Sequence, residues 1–401
     1  MRTAALAIAL LLTTAASPDR EAARIEGRLA AGGSPLVDPL PDGRVKVTFV
    51  WRGAGTTSVL LDWPAWGSLH DNDRFVRIPG SDLWTKSVIL PRGARMAYRL
   101  VPDVAPGTGP DSPAYKAKAT PDPLNRHRWP AGGTDAVSII DLPDGPSRRW
   151  LHRPKGTPGG TLESAPLHSV ILANSREVTL YRPARGDPRW LLIVFDGNTY
   201  QNKIALPAIL DTMIAARAIP PVAVVFLPNP DGLARRRDLA CSPDFSAFLA
   251  RELLPWIGRR VPVPPARNRI LAGSSLGGLA AACAAVDRPE EFGAVLSQSG
   301  SFWWTPSPGT PRFAPGDDRA NWVARRIAAV PRLPLRFYLS AGQLEGVPGD
   351  GGILATNRVL RDALGGAGYP VTYAEVPGGH DFYSWRADFP AGLIALMRAR
   401  P

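Results

Sequence analysis

The sequence predicts two folded units in one chain of 401 residues: a small all-β, immunoglobulin-like sandwich over residues 25–145, then a larger α/β domain over residues 165–401. Two patterns predict this. From about Leu29 to Leu142, apolar and polar residues alternate with the period of two that half-buried strands require, and helical periodicity is almost absent. After a stretch rich in Gly, Pro and Ser from Asp144 to Ser164, with residues 146–164 as the linker, short apolar runs alternate with helical segments. That second pattern is the mark of a mostly parallel sheet covered on both faces.

In chain order, residues 1–17 read as a secretory signal: Arg2 is the positive start, Ala4 to Leu12 the apolar run, and Ala15, Ala16 and Ser17 the small-residue cleavage region. The apolar run is shorter than the roughly 20 residues a bilayer span needs, so export to the periplasm or medium is expected rather than stable membrane insertion. Val45–Trp51, Thr57–Asp62, Leu83–Leu90 and Met96–Val101 are the expected strands of the sandwich, separated by turns of Gly, Pro, Asp and Asn. In the second unit, Ser169–Leu172 and Glu177–Tyr181 form a first hairpin. Trp190–Phe195, Val222–Leu227, Arg269–Ala272, Ala294–Gln298, Leu335–Ser340 and Thr372–Val376 are further strands. Helices are expected near Leu206–Ala216, Asp244–Trp256, Leu276–Val286, Arg319–Ala329, Ala355–Leu364 and Ala391–Arg398.

A net charge of +12 comes from arginines scattered over the whole length, with no basic helix and no aromatic-interleaved patch. Nucleic acid is therefore not the expected partner. The two cysteines are too few for a disulfide framework and lack metal-ligand spacing; Cys283 reads as a small buried hydrophobe, while Cys241 is left open, and one bridge between them is possible in an oxidising compartment.

The chemistry is concentrated at Gly273-Ser274-Ser275-Leu276-Gly277, a G-x-S-x-G motif between an apolar strand and an Ala-rich helix. A sharp strand-to-helix turn lifts the central hydroxyl, that of Ser275, out of the sheet, and flanking glycines let the chain double back. Eight strands with this elbow after the fifth make the α/β-hydrolase layout, in which nucleophile, acid and histidine follow in that chain order. His380, directly after the last strand, is the expected general base: its ring would take the Ser275 proton and hand it to the leaving alcohol. Glu345, after the seventh strand, is the expected orienting acid, with Asp350 as its competitor and Asp381 as a structural loop residue. The oxyanion donors expected are the backbone N–H groups of Leu276, just past the nucleophile, and Asn198, in the turn after the third strand. No metal and no cofactor are needed for this chemistry.

The segments Val295–Trp304, Gly378–Arg386 and Arg235–Ile257, together with Val47–Trp51 and Asp122–Asn125 in the first unit, resemble the enterochelin (enterobactin) esterase family, within the wider esterase D group. The resemblance implies hydrolysis of the serine ester bonds of a catecholate siderophore, with iron entering only as part of the substrate. By the same analogy Arg235 would meet anionic catecholates, unless Arg235–Arg237 is merely a solvated basic run, and Trp303 and Trp304 would wall the pocket, unless they pack the core. Asn198 departs from the glutamine or glutamate associated with that position, and the export signal departs from cytoplasmic members. A feruloyl or acetyl-xylan esterase, with the sandwich as a carbohydrate-binding module, is the rival reading. An acyltransferase and a non-catalytic siderophore- or glycan-binding protein are the others.

Overall fold

The computed structural model describes residues 17–65, 73–105, 107–110, 112–130, 136–306, 321–346 and 352–398. The expected signal segment lies outside the described residues, apart from Ser17. The described residues open with a helix that the strand pattern did not foretell, α1 (Pro18–Gly32). Proline at its first turn lacks only an N–H that would be unpaired there anyway. Its Ile25 and Leu29 pack with Leu36, Val50, Ile78 and Leu83.

The first unit then contains β1 (Leu36–Pro39), β2 (Val45–Arg52), β3 (Val59–Asp62), β4 (Val76–Arg77), β5 (Leu83–Leu90), β6 (Arg95–Pro102), α2 (Pro113–Lys118), β7 (Arg128–Trp129) and β8 (Val137–Asp141). They form two four-stranded sheets, ordered β1-β2-β5-β4 and β3-β6-β8-β7. Inward residues of both sheets, among them Phe49, Leu61, Leu90, Met96, Tyr98 and Ile140, share one core, in which the rings of Phe49 and Tyr98 meet edge to face at 4.8 Å. The first unit is thus a β-domain.

The second unit runs β9 (Thr161–Ser169), β10 (Asn174–Arg182), β11 (Trp190–Phe195), α3 (Leu206–Ala215), β12 (Val222–Leu227), α4 (Gly232–Asp238), α5 (Pro243–Phe248), α6 (Leu254–Gly258), β13 (Arg269–Ser274), α7 (Leu276–Asp287), β14 (Ala294–Gln298), α8 (Trp322–Ala328), β15 (Arg336–Gly342), α9 (Ile353–Gly366), β16 (Val371–Val376) and α10 (Phe382–Met397). Its eight-stranded sheet is mixed, ordered β16-β15-β14-β13-β11-β12-β10-β9, with β10 antiparallel to both β12 and β9 and the other neighbours parallel. Alternate residues of one strand feed two cores: Leu191, Ile193 and Phe195 pack beneath α5, α7, α8 and α9, while Leu192 and Val194 pack beneath α3 and α10. A strand buried on both faces has no polar side, which is why these runs are continuously apolar.

Other elements of the second unit also depart from the sequence expectation. The hairpin's first strand is Thr161–Ser169, reaching back into the expected linker, and Val170 to Ala173 form the turn. A π-helical turn, Leu249–Leu253, interrupts the helix expected at Asp244–Trp256 just before Pro255. The last helix begins at Phe382, not Ala391, because Pro390 lies inside it rather than before its start.

The two units meet along one edge of β6. Strand β3 pairs only with Arg99–Pro102 of β6, which leaves the Arg95–Ala97 edge open to the loop between β16 and α10. There Arg95 N–H donates to Pro377 O at 2.9 Å, Ala97 N–H to Asp381 Oδ1 at 3.1 Å, and Ser384 Oγ to Arg95 O at 2.8 Å. Unpaired strand-edge groups buried at an interface need such partners.

Candidate active site

Strand β13 stops at Ser274, and Ser275 turns the chain with φ 57° and ψ −125°, a conformation L residues rarely adopt. The turn is so tight that a Cβ on Gly273 would stand 2.6 Å from the carbonyl carbon of Gly277. The neighbouring strand end holds it in place: Ser275 N–H donates to Gln298 O and Ser301 N–H to Ser275 O, each at 3.0 Å. Ser275 Oγ lies 3.4 Å from Ser301 Oγ.

His380 follows β16 on the opposite side of β14. Its Nδ1 is 2.5 Å from Glu345 Oε1, and its ring stands edge to face with Trp385, centroids 5.1 Å apart. Glu345 sits in the 3₁₀ turn Gln343–Glu345 directly after β15 and is fully buried. A carboxylate without water must find donors in the protein. Its Oε2 accepts from Ser299 Oγ at 2.8 Å and from Gly342 N–H at 2.5 Å. Ser299 Oγ in turn accepts from Trp385 Nε1 at 2.9 Å. The segment Gln298–Ser301 thus ties Ser275 to Glu345, and Glu345 to His380. Asp350 lies outside the described residues.

Leu276 is the first residue of α7, and Asn198 precedes a π-helical turn, Thr199–Lys203. Among the described residues neither backbone N–H is donated to another group. Asp196, at the start of the Asn198 turn, has φ 52°. Arg235 on α4 grips its carboxylate with Nε and an Nη, both at 2.7 Å, and Asn229 Nδ2 donates to it at 2.6 Å. The Arg235 guanidinium thereby braces the turn that carries Asn198. Trp304 packs against the larger core, and Trp303 beside it is half-buried. Cys241, at the end of the loop after α4, is disulfide-bonded to Cys283 of α7.

A family model described as "Putative esterase" matches residues 169–396, and one described as "Enterochelin esterase, N-terminal" matches residues 46–151. The iron(III) enterobactin esterase of Dickeya dadantii is 30% identical over 410 aligned positions, spanning 92% of each chain. This chain belongs to the enterochelin (enterobactin) esterase family. The iron(III) salmochelin esterase of Escherichia coli is 29% identical across 90% of each chain. Among solved structures, the ferric enterobactin esterase of Salmonella typhimurium matches with a TM-score of 0.77 at 30% identity, covering 92% of this chain and 98% of that one. The Shigella flexneri enterobactin esterase, crystallised in the presence of enterobactin, gives 0.73 at 26% identity, over 92% and 97% of the two chains.

Ser299, Ser301 and Trp385 are further site residues that belong to no catalytic motif in the sequence. A signal was present: Ser297-Gln298-Ser299-Gly300-Ser301 puts a polar run at the end of a buried strand, where apolar residues are the norm. Gln298 itself is buried, receiving Tyr200 Oη at 3.1 Å and donating to Asp388 at 3.0 Å. Asp388 also accepts from Tyr338 and Ser340, both at 2.6 Å. This polar floor beneath the strand ends satisfies groups that would otherwise be costly to bury.

Proposed function

We propose that the chain is a periplasmic or secreted serine esterase that hydrolyses the ester bonds of a catecholate, enterobactin-like siderophore, with bound iron carried as part of the substrate and released on cleavage. In this reading Ser275 is the nucleophile, His380 the general base and acid, Glu345 the orienting acid, and the Leu276 and Asn198 N–H groups the oxyanion donors on an α/β-hydrolase framework. The Nδ1–Glu345 contact carries it: a carboxylate on Nδ1 fixes the tautomer that leaves Nε2 free to accept a proton.

Ser275 Oγ attacks the ester carbonyl while His380 Nε2 takes its proton. The carbonyl oxygen becomes an oxyanion facing the two N–H groups. Collapse expels the alcohol, protonated by the imidazolium, and leaves an acyl-enzyme. Water, activated by the same histidine, then releases the acid and restores Ser275. Glu345 stays ionised throughout and stabilises the imidazolium. The siderophore assignment is supported by the relatives named above, and export by the N-terminal sequence and by the Cys241–Cys283 bridge, which suits an oxidising compartment.

The test compares a ferric catecholate triester, methyl ferulate and p-nitrophenyl acetate as substrates for wild type and Ser275→Ala. Wild type should prefer the catecholate, and the variant should remain folded and lose hydrolysis by at least about 10³-fold, with no fluorophosphonate labelling. Turnover by the variant at the wild-type rate would sink the mechanism, and a preference for methyl ferulate would replace the substrate.

A further inference from the structure

The loop carrying His380 is bonded to a different domain. Besides Arg95 N–H on Pro377 O, His380's own N–H donates to Pro64 O of the β-domain at 2.9 Å. Asp381 Oδ1 accepts from Ala97 N–H at 3.1 Å and from Tyr383 and Ser384 N–H at 2.8 and 3.2 Å. The last two bonds cap α10, a task that Ser, Thr or Asn performs equally well. The bond to Ala97 is of another kind, since it joins that cap to strand β6 across the domain seam. Burial pushes the Asp381 carboxyl up to about 6, although the bonds from Ser384, Tyr383 and Ala97 pull it down. Gly379 completes the grip: a Cβ there would stand 2.3 Å from Pro64 O, so the loop lies against the β-domain at a distance only glycine permits.

We propose that the β-domain's part in the reaction is to hold His380 in register, through the Pro64–His380 and Ala97–Asp381 hydrogen bonds, with Asp381 as the positioning residue. This rests on His380 being the general base. It assigns the β-domain to catalytic geometry rather than to capture of a polymer or siderophore. A shift of about 1 Å in such a group can cost on the order of 100-fold in rate.

The experiment uses full-length Asp381→Ala, Asp381→Asn and Gly379→Ala, each checked for folding by circular dichroism and thermal midpoint. Rates are measured on p-nitrophenyl acetate and on the catecholate triester. Asp381→Ala should lose roughly 10- to 100-fold in kcat on both substrates with KM within about twofold, and fluorophosphonate labelling of Ser275 should slow by the same factor. Asp381→Asn should keep more than about half of kcat, because its amide oxygen still accepts the three N–H bonds while its nitrogen donates to Ser384 Oγ. Gly379→Ala, which wedges the loop off Pro64, should fall with Asp381→Ala. Folded Asp381→Ala or Gly379→Ala with wild-type kcat overturns the proposal, and so does a rise in KM confined to the catecholate substrate. If Asp381→Ala does not fold, Gly379→Ala decides. A wild type inert on the catecholate but active on p-nitrophenyl acetate would refute the substrate and leave this test intact on the small ester and the probe.

Discussion

Glu345→Gln is the sharpest test of how the site is wired. Glu345 Oε2 accepts from the Gly342 N–H and from Ser299 Oγ. The Ser299 oxygen already accepts from Trp385 Nε1, so its proton is committed to Glu345. Both neighbours of Oε2 are thus donors, and in the variant the amide oxygen must take that position. The amide nitrogen then faces His380 Nδ1, where the carboxylate Oε1 now stands at 2.5 Å. An NH₂ opposite Nδ1 forces Nδ1 to accept, which moves the ring proton to Nε2, the atom that has to receive the Ser275 proton. The variant keeps its shape and its packing and holds the wrong tautomer. A swap of this kind costs about 10⁴ in kcat in a serine triad, equivalent to about 5 kcal/mol at 1.36 kcal/mol per decade. The assay is steady-state hydrolysis of p-nitrophenyl acetate beside a thermal melt. The expected result is a loss of about 10³- to 10⁴-fold in kcat, KM within a few-fold, and a midpoint near wild type. Activity within tenfold of wild type would refute the tautomer argument and return Asp350 to contention as the acid.

Gly273→Ala places a methyl 2.6 Å from main-chain carbon of Gly277, which no rotamer can relieve; it should lower stability by several kcal/mol and abolish Ser275 labelling, and a soluble, labelled variant would contradict the elbow geometry. Replacing both Cys241 and Cys283 with serine opens a loop of 42 residues' separation, worth about 4 kcal/mol in the chain-entropy treatment; urea unfolding should shift accordingly, and an unchanged midpoint would mean that the bridge constrains nothing.

The elements that sequence revealed are those whose residue types are dictated locally. β11 and β12 fall where the apolar runs put them, because strands buried on both faces carry few polar residues. Ser275, Glu345 and His380 stand out because a fixed chain order leaves few candidates for each. What stayed hidden depends on distant partners. Arg235 stood out only through the family resemblance, and the carboxylate it grips, Asp196, is 39 residues earlier. α10 was misplaced because Pro390 reads as a helix boundary when its surroundings are unknown. The seam was invisible for the same reason: Ala97 and Asp381 are 284 positions apart, and an aspartate at a helix start has an adequate local explanation. The bridge between Cys241 and Cys283 likewise needed the packing of α7 against the preceding segment.

Four bonds that reach the histidine loop and the start of α10 come from main-chain atoms of the β-domain: Pro64 O, Arg95 N and O, and Ala97 N. Such contacts are indifferent to which side chains occupy the strand. Two relatives can drift to about 30% identity and keep the same seam, provided the backbone follows the same path. The vulnerability is of a different sort: one residue inserted or deleted in β6 ahead of Ala97 would slip every N–H and C=O by one place and present the loop with the wrong groups. Natural variation in this family should therefore be rich in substitution along that edge and poor in length change.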